Sequence, residues 1–207
     1  PHRLKAARQK NSRKAIVVGG GFIGIEMAEN LRHAGLAVTL LEAAPHILAP
    51  FDEDMVIPLE NELRKNGIGL LLEDGVQSFH GSAEAIEVTL ASGRKERADF
   101  VVLAIGVRPD TRFLQDSGIA LGARGHILVD EFLQTSQPDI YAVGDAVETF
   151  SFQTGKRMAV PLAGPANRQG RLVADTMYGE PVKYKGVLGT AMLVVFLLTA
   201  AATGSDE

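Results

Sequence analysis

Gly19, Gly21 and Gly24 follow directly on the apolar residues 15–18 and open a helical pattern, and this spacing constrains the chain more than any other feature. The first glycine lets the backbone reverse, the second lets N–H groups approach a diphosphate, and the third lets strand and helix pack closely. Ile23, Met27, Leu31 and Ala34 recur at helical spacing, which predicts an amphipathic helix stopped by Gly35. Its N-terminus would offer unpaired N–H groups and the positive end of the helix dipole to phosphates. Residues 38–41 supply a second strand, and Glu42 at its end is placed to hold the adenosine ribose hydroxyls. The three parts read as a dinucleotide-binding βαβ unit, set against the alternative of a glycine-rich turn with no ligand.

Glu42 also bears on the choice between NAD and NADP, whose 2′-phosphate would sit beside this carboxylate. Like charges about 4 Å apart repel by roughly 1 kcal/mol in water and roughly 4 kcal/mol at an effective dielectric of 20. No Arg or Lys lies between Glu42 and Arg64, so the loop of residues 43–51 offers no clamp for an extra phosphate. His46 is the one exception, and it reads as a solvated loop residue. NADH is therefore expected over NADPH.

A chain of 207 residues, 46% of them hydrophobic, can bury one good core or two smaller ones. Its net charge of −4 leaves no electrostatic footprint for nucleic acid. Arg3, Lys5, Arg8, Lys10, Arg13 and Lys14 gather without aromatic partners, so residues 1–14 read as a linker or lead-in helix. The absence of cysteine excludes disulfides, thiolate metal sites and a redox thiol within this chain. His2, His33, His46, His80 and His126 have no ligand spacing, and no metal site is expected. No signal peptide is read at the N-terminus, so a cytoplasmic location is expected. Residues 187–204 are uncharged over a length at the lower limit for a membrane span. Glycines and threonines interrupt them and β-formers fill them, which favours a buried strand opening another domain over a membrane anchor.

Asp52, Glu53 and Asp54 make an acidic first helical turn, Met55, Leu59 and Leu63 a buried face, and Arg64, Lys65 and Gly67 an end. Pro58 inside this pattern predicts a kink or a late start. Residues 68–72 form a third strand, and residues 76–79 and 85–90 an antiparallel excursion turning at Gly81 and at Ser92-Gly93. Residues 100–105 are continuously apolar, as in a strand covered on both faces of a parallel sheet. Gly106, just beyond, would let the backbone pass close to a bound cofactor. From Thr111 the pattern changes to loops and short strands. Residues 135–146 read as a turn, a buried strand and Asp145 past its end, where a carboxylate can accept from sugar hydroxyls or cap a turn. Residues 161–167 enter a helix to about Tyr178, stopped by Gly179, with Pro165 at its first position. The fold class is α/β: a Rossmann-like parallel sheet with a β-meander crossover, followed by a partial second lobe.

Residues 19–26, 104–110, 135–146 and 161–171 together resemble the pyridine nucleotide-disulfide oxidoreductase family of flavoenzymes. The run Gly164-Pro165-Ala166-Asn167-Arg168-Gln169-Gly170-Arg171 is most similar to its coenzyme A-disulfide reductase, NADH oxidase and NADH persulfide reductase branch. The resemblance implies NAD contacts from Gly19, Gly21, Phe22, Ile23, Gly24, Glu26, Glu42 and Gly106. Phe22 would be the aromatic gate over the flavin, and Glu26 the acid near the nicotinamide and flavin rings. Asp145 would hydrogen-bond the FAD ribityl chain, and Ala163 would offer its N–H near the pyrimidine side, which makes the second lobe a partial flavin domain.

The resemblance also implies an NAD(P)H-binding domain over residues 15–107, a second segment of an FAD domain over 108–185, and the first strand of an interface domain over 186–207. A flavin lobe with the redox cysteine would precede these, and a dimerisation domain would follow. In the full-length parent, a homodimer, hydride would pass from NADH to FAD and on to oxygen, a disulfide or a persulfide. This chain alone would hold no catalytic residue, bind NADH without flavin colour and turn nothing over. The uniformly apolar residues 193–198 depart from relatives that carry charges in this strand. Two other readings are a stand-alone NAD-binding or sensing module, and a membrane-associated NADH dehydrogenase anchored by residues 187–204.

Overall fold

A computed structural model describes residues 12–82, 85–196 and 198–203. Most of the lead-in predicted over residues 1–14, with His2 and four of its six basic side chains, lies outside them. The chain divides into two compact units, Pro1–Gly106 with Met192–Ala201, and Val107–Ala191 with Ala202–Glu207.

The first unit is built on a parallel sheet of four strands in the order β3-β2-β1-β7, with β1 over Lys14–Val18, β2 over Ala37–Leu41, β3 over Ile68–Leu71 and β7 over Phe100–Leu103. Helix α1 (Phe22–His33) connects β1 to β2, and α2 (Glu53–Lys65) connects β2 to β3. The predicted stop at Gly35 holds. Gly35 takes φ +89°, its N–H donates to the Arg32 carbonyl, and the Leu36 N–H donates to that of Leu31. That pair of bonds caps the last carbonyls, with Leu31 and Leu36 buried beside them.

Between β3 and β7 the chain makes an antiparallel meander of β4 (Val76–Gly81), β5 (Ile86–Leu90) and β6 (Lys95–Ala98). The sequence reading found its first two strands and missed β6, whose Lys-Glu-Arg run carries ion pairs from Lys95 and Arg97 to Glu87 rather than an apolar signal. The meander packs Val88, Leu90 and Ala98 against Ile16, Val18 and Leu41 of the parallel sheet. Ala15, Val17 and Leu40 alternate to the opposite face and are equally buried. Each large apolar side chain so enclosed contributes about 1.5–3 kcal/mol.

Four expectations for this unit need correction. In α1 the buried residues are Gly24, Ile25, Ala28 and Leu31, whereas Ile23 is 58% exposed. In α2 they are Val56, Leu59, Glu60 and Leu63, so Leu59 and Leu63 are buried as expected while Val56 takes the place of Met55, which points outward. The helix starts on time at Glu53 and runs through Pro58, so of the kink or late start expected there the late start does not occur. Strand β7 ends at Leu103 and is not covered on both faces: it lies at the sheet edge, paired with β1 alone in that sheet, and Leu103 and Ile105 are 58% and 73% exposed.

The C-terminal apolar segment forms a hairpin of β11 (Thr190–Val195) and β12 (Leu198–Thr203) rather than one buried strand. Leu193 and Val195 are buried while Met192 and Val194 are exposed, the alternation of a strand with one covered face. At its turn, the Phe196 N–H donates to Glu29 Oε1 at 2.9 Å and the Phe196 ring meets His33 edge-on. No helix among the described residues is long and apolar enough to cross a membrane.

The second unit carries a short sheet of β8 (Ile127–Leu128), β9 (Val147–Phe150) and β10 (Arg157–Met158), a 3-10 turn at Arg112–Leu114, and helix α3 (Ala163–Met177). Its core gathers Val129, Leu133, Val147, Tyr184 and Val187 beneath Leu172 and Val173 of α3. The buried strand expected before Asp145 does not form. Asp139 at φ +62° and the bonds Thr135 N–H to Ile140 and Ala142 N–H to Leu133 fold this segment into a tight loop with a single bridge, Gln134 to Tyr141. Ile140 and Val143 are exposed there. Pro165 is the third residue of α3, not the first; its missing N–H falls in the first turn, where no helical bond is lost.

Candidate functional site

The β1–α1 turn is shaped by contacts that only glycine allows. Gly19 has φ +108°, and a Cβ there would collide with the Ala104 carbonyl oxygen as β7 leaves the sheet. A Cβ on Gly24 would collide with the Gly19 carbonyl and sit 3.4 Å from the Ala104 methyl. The outer two glycines of the fingerprint are thus steric requirements of the turn and of helix-strand packing. At Gly21 nothing lies within 4 Å of a Cβ position. That glycine faces open space on the side where a ligand can approach.

Gly21 is also the N-cap of α1, with extended backbone and no side-chain cap, and the first helical bond runs from the Ile25 N–H to its carbonyl. The N–H groups of Phe22, Ile23 and Gly24 therefore precede the helical ladder, and no acidic residue stands in the first turn. Free donors and the dipole together favour an anion at this point.

Glu42 leaves β2 and turns to the same place. Its Oε2 accepts the Gly20 N–H at 2.5 Å and its Oε1 accepts the Ala44 N–H at 2.9 Å. Two backbone donors fix the carboxylate, and each oxygen keeps a further lone pair for a hydroxyl donor. Gly20, Gly21, Phe22, Glu42, Ala44 and His46 line one cleft of about 220 Å³, closed by Leu48, Ala49 and Pro50. Phe22 rests on Phe51, ring centroids 5.9 Å apart, and Glu26 is exposed one turn further along α1. Gly106 lies beyond β7 at φ +92°, a conformation that favours glycine, with open space around its Cβ position.

His46 is not the solvated loop residue read from sequence. Its Nδ1 lies 3.1 Å from Glu60 Oε1 and its Nε2 3.4 Å from Glu53 Oε1, with the ring about two-thirds covered. The reading also missed Gly20, whose Cβ would meet Ile47 at 2.8 Å and Glu42 at 3.0 Å, and the buried Glu60. Glu60 was legible in principle: residues 56, 59 and 63 fix the covered face of α2, and residue 60 shares it.

In the second unit, Asp145 is exposed just ahead of β9 and Ala163 is the first residue of α3. Buried Gln169 ties the two segments, its Oε1 accepting the Gly144 N–H at 2.7 Å. The first backbone bond into α3 is Ala166 N–H to Leu162, so the earlier N–H groups precede its ladder.

A parallel sheet with a glycine-shaped turn, uncapped helix donors and a fixed carboxylate at the end of the second strand defines an α/β protein of the Rossmann-like class. The sequence matches the pyridine nucleotide-disulphide oxidoreductase family over residues 2–170, and the chain belongs to that family. It is 36% identical over 202 residues to an NADH oxidase of Methanocaldococcus jannaschii, covering 97% of this chain and 45% of the relative. The reduced Bacillus anthracis CoADR-RHD superposes over all of this chain and 37% of its own, with 45% identity and a TM-score of 0.94. A water-forming NADH oxidase from Lactobacillus brevis, bound to NADH, covers 99% of this chain and 45% of its own at 31% identity and a TM-score of 0.91. Its engineered, NADPH-bound derivative is similar at 29% identity and a TM-score of 0.87, covering 94% of this chain and 43% of its own. The chain spans less than half the length of these relatives.

Proposed function

We propose that the first unit binds NADH, and that the chain is the nicotinamide-nucleotide-binding part of an FAD-dependent NAD(P)H oxidoreductase. The observation that carries this is the open Cβ position at Gly21 beside three uncommitted helix N–H groups, in the cleft that also holds Glu42. The diphosphate would sit on the start of α1, held by backbone donors, and Glu42 would accept from the adenosine ribose. Phe22 would cover the reacting ring until nicotinamide displaces it, and Glu26 would stand beside that ring. Gly106 would let the backbone approach the carrier. Asp145 and the Ala163 N–H would hold parts of the flavin, and the N–H groups opening α3 suit developing negative charge.

When bound, the two cofactors supply hydride-transfer chemistry; the protein orients them and excludes water. The acceptor of the whole protein is oxygen, a disulfide or a persulfide, as the names of its relatives suggest. A homodimer in the cytoplasm goes with this reading of the whole protein.

NADH is proposed over NADPH. Glu42 would confront a 2′-phosphate with a fixed negative charge, and His46 is held by Glu53 and Glu60. The NADPH-bound derivative of the Lactobacillus brevis enzyme lost an aspartate to alanine and gained an arginine at the next residue. The glycine and aspartate replaced there are spaced as Gly24 and Glu42 are here. A fluorescence titration with NADH, with FAD added in parallel, tests the proposal. Saturable NADH binding without flavin retention is expected; stoichiometric flavin on the purified chain would overturn the assignment of the two cofactors to separate parts.

A further inference from the structure

We propose that Glu60 is a positioning residue for the adenosine side of the nucleotide cleft, holding the loop wall at His46 and Ile47 and thereby setting affinity for the adenosine half of the ligand. This rests on the nucleotide-binding reading above.

Helix α2 places Val56, Leu59 and Leu63 in the core and puts the Glu60 carboxylate on the same covered face, where the residue is only 4% exposed. A carboxylate there costs desolvation unless its oxygens are paired. Its partners are specific. Oε1 accepts the Ile47 N–H at 3.3 Å and lies 3.1 Å from His46 Nδ1, while Oε2 lies 3.5 Å from Arg64. Two of these three partners belong to the loop that walls the cleft. Glu53 holds the other edge of the His46 ring, so the imidazole is gripped from both sides.

The same loop shows why it needs holding. Leu48, a bulky side chain, sits at φ +52°, a left-handed conformation that costs about 1–3 kcal/mol and persists only when its surroundings fix it. The Leu48 N–H donates to the Gly20 carbonyl at 2.9 Å, and Ile47 fills the space that a Cβ on Gly20 would need. Strand end, glycine turn and loop are therefore clamped together, and Glu60 supplies the clamp on the loop's outer side. Cutting it frees the Ile47 N–H and leaves His46 held by Glu53 alone, so the wall must be ordered at the expense of binding.

The test uses the full chain with Glu60→Ala, Glu60→Gln, His46→Ala and Leu59→Ala, titrated with NADH and with ADP-ribose below each melting point. Glu60→Ala and His46→Ala are expected to weaken both ligands by about tenfold. Glu60→Gln, whose amide oxygen still accepts from Ile47, should recover most of the loss. Leu59→Ala, which thins the same helix face, should stay within about twofold of the unsubstituted chain. The inference is overturned if Glu60→Ala and His46→Ala both leave ADP-ribose affinity unchanged, or if Leu59→Ala weakens it equally. An unsubstituted chain that binds neither ligand overturns the nucleotide-binding reading, and the role of Glu60 with it; binding that is indifferent to Glu60 overturns the latter alone.

Discussion

Gly21 and Gly24 stand three residues apart and answer to different constraints. Gly24 is packed against the Gly19 carbonyl, so Gly24→Ala forces the turn apart and should cost about 1–3 kcal/mol of stability together with NADH binding. Gly21 has φ −77° and open space at its Cβ position, so Gly21→Ala should melt within about 0.5 kcal/mol of the parent while NADH affinity falls. Thermal melts alongside titrations separate the two. At Glu42, replacement by Arg removes the charge that would face a 2′-phosphate. NADPH should then bind better than NADH, and an unchanged affinity ratio in paired titrations would contradict the role given to this side chain. The fingerprint was legible because Gly19 and Gly24 are demanded by local sterics and Gly21 stands at a fixed spacing between them. The grip of Gly20 and Ala44 on Glu42, and that of Glu60 on residues 46 and 47, was not, because it depends on where a distant helix and a loop meet.

Among the elements, the existence of those with a strong internal period was legible, whereas their buried faces and the elements fixed by neighbours were not. The strands β1, β2 and β3 declared themselves as apolar runs between turn signals. Strand β6 is held by pairing with β5 and by its ion pairs, and so left no apolar trace. The one-residue error in the buried face of α2 arose because Met55 and Val56 are both apolar, and only the sheet decides between them.

The corner between β6 and β7 carries a further consequence. Asp99 accepts the N–H groups of Lys14 and Arg13 at 2.9 and 2.5 Å, and these bonds hold its carboxyl below the usual range. A carboxylate depressed in the folded state stabilises it above the unfolded value, about 3.9, and that contribution is lost as pH falls through the lower folded value. Asp74, lowered by hydrogen bonds from Ser92, acts in the same direction. Stability measured by denaturant melts should therefore decline below about pH 4. Asp99→Asn should be less stable near neutrality and show a flatter decline in acid; an unchanged acid profile would remove this corner from the explanation.

Over the whole molecule, the chain forms two compact units, and the family match reaches into both. The hairpin is the part least legible from sequence. Its apolar run is one covered face and one exposed face, and its turn is latched to α1 through Glu29 and His33, contacts that no local pattern announces. If the nucleotide binds the folded first unit alone, NADH at about one hundred times its Kd should add about 2.7 kcal/mol to stability. That corresponds to a rise of about 5–10 °C in melting temperature for a chain of this size. The most direct test of the diphosphate cradle at the β1–α1 turn is calorimetric titration of NADH into the parent chain and into Gly21→Ala. Saturable binding by the parent, lost in a variant that melts at the same temperature, is the predicted result. No binding by the parent, or equal binding by both, would contradict it.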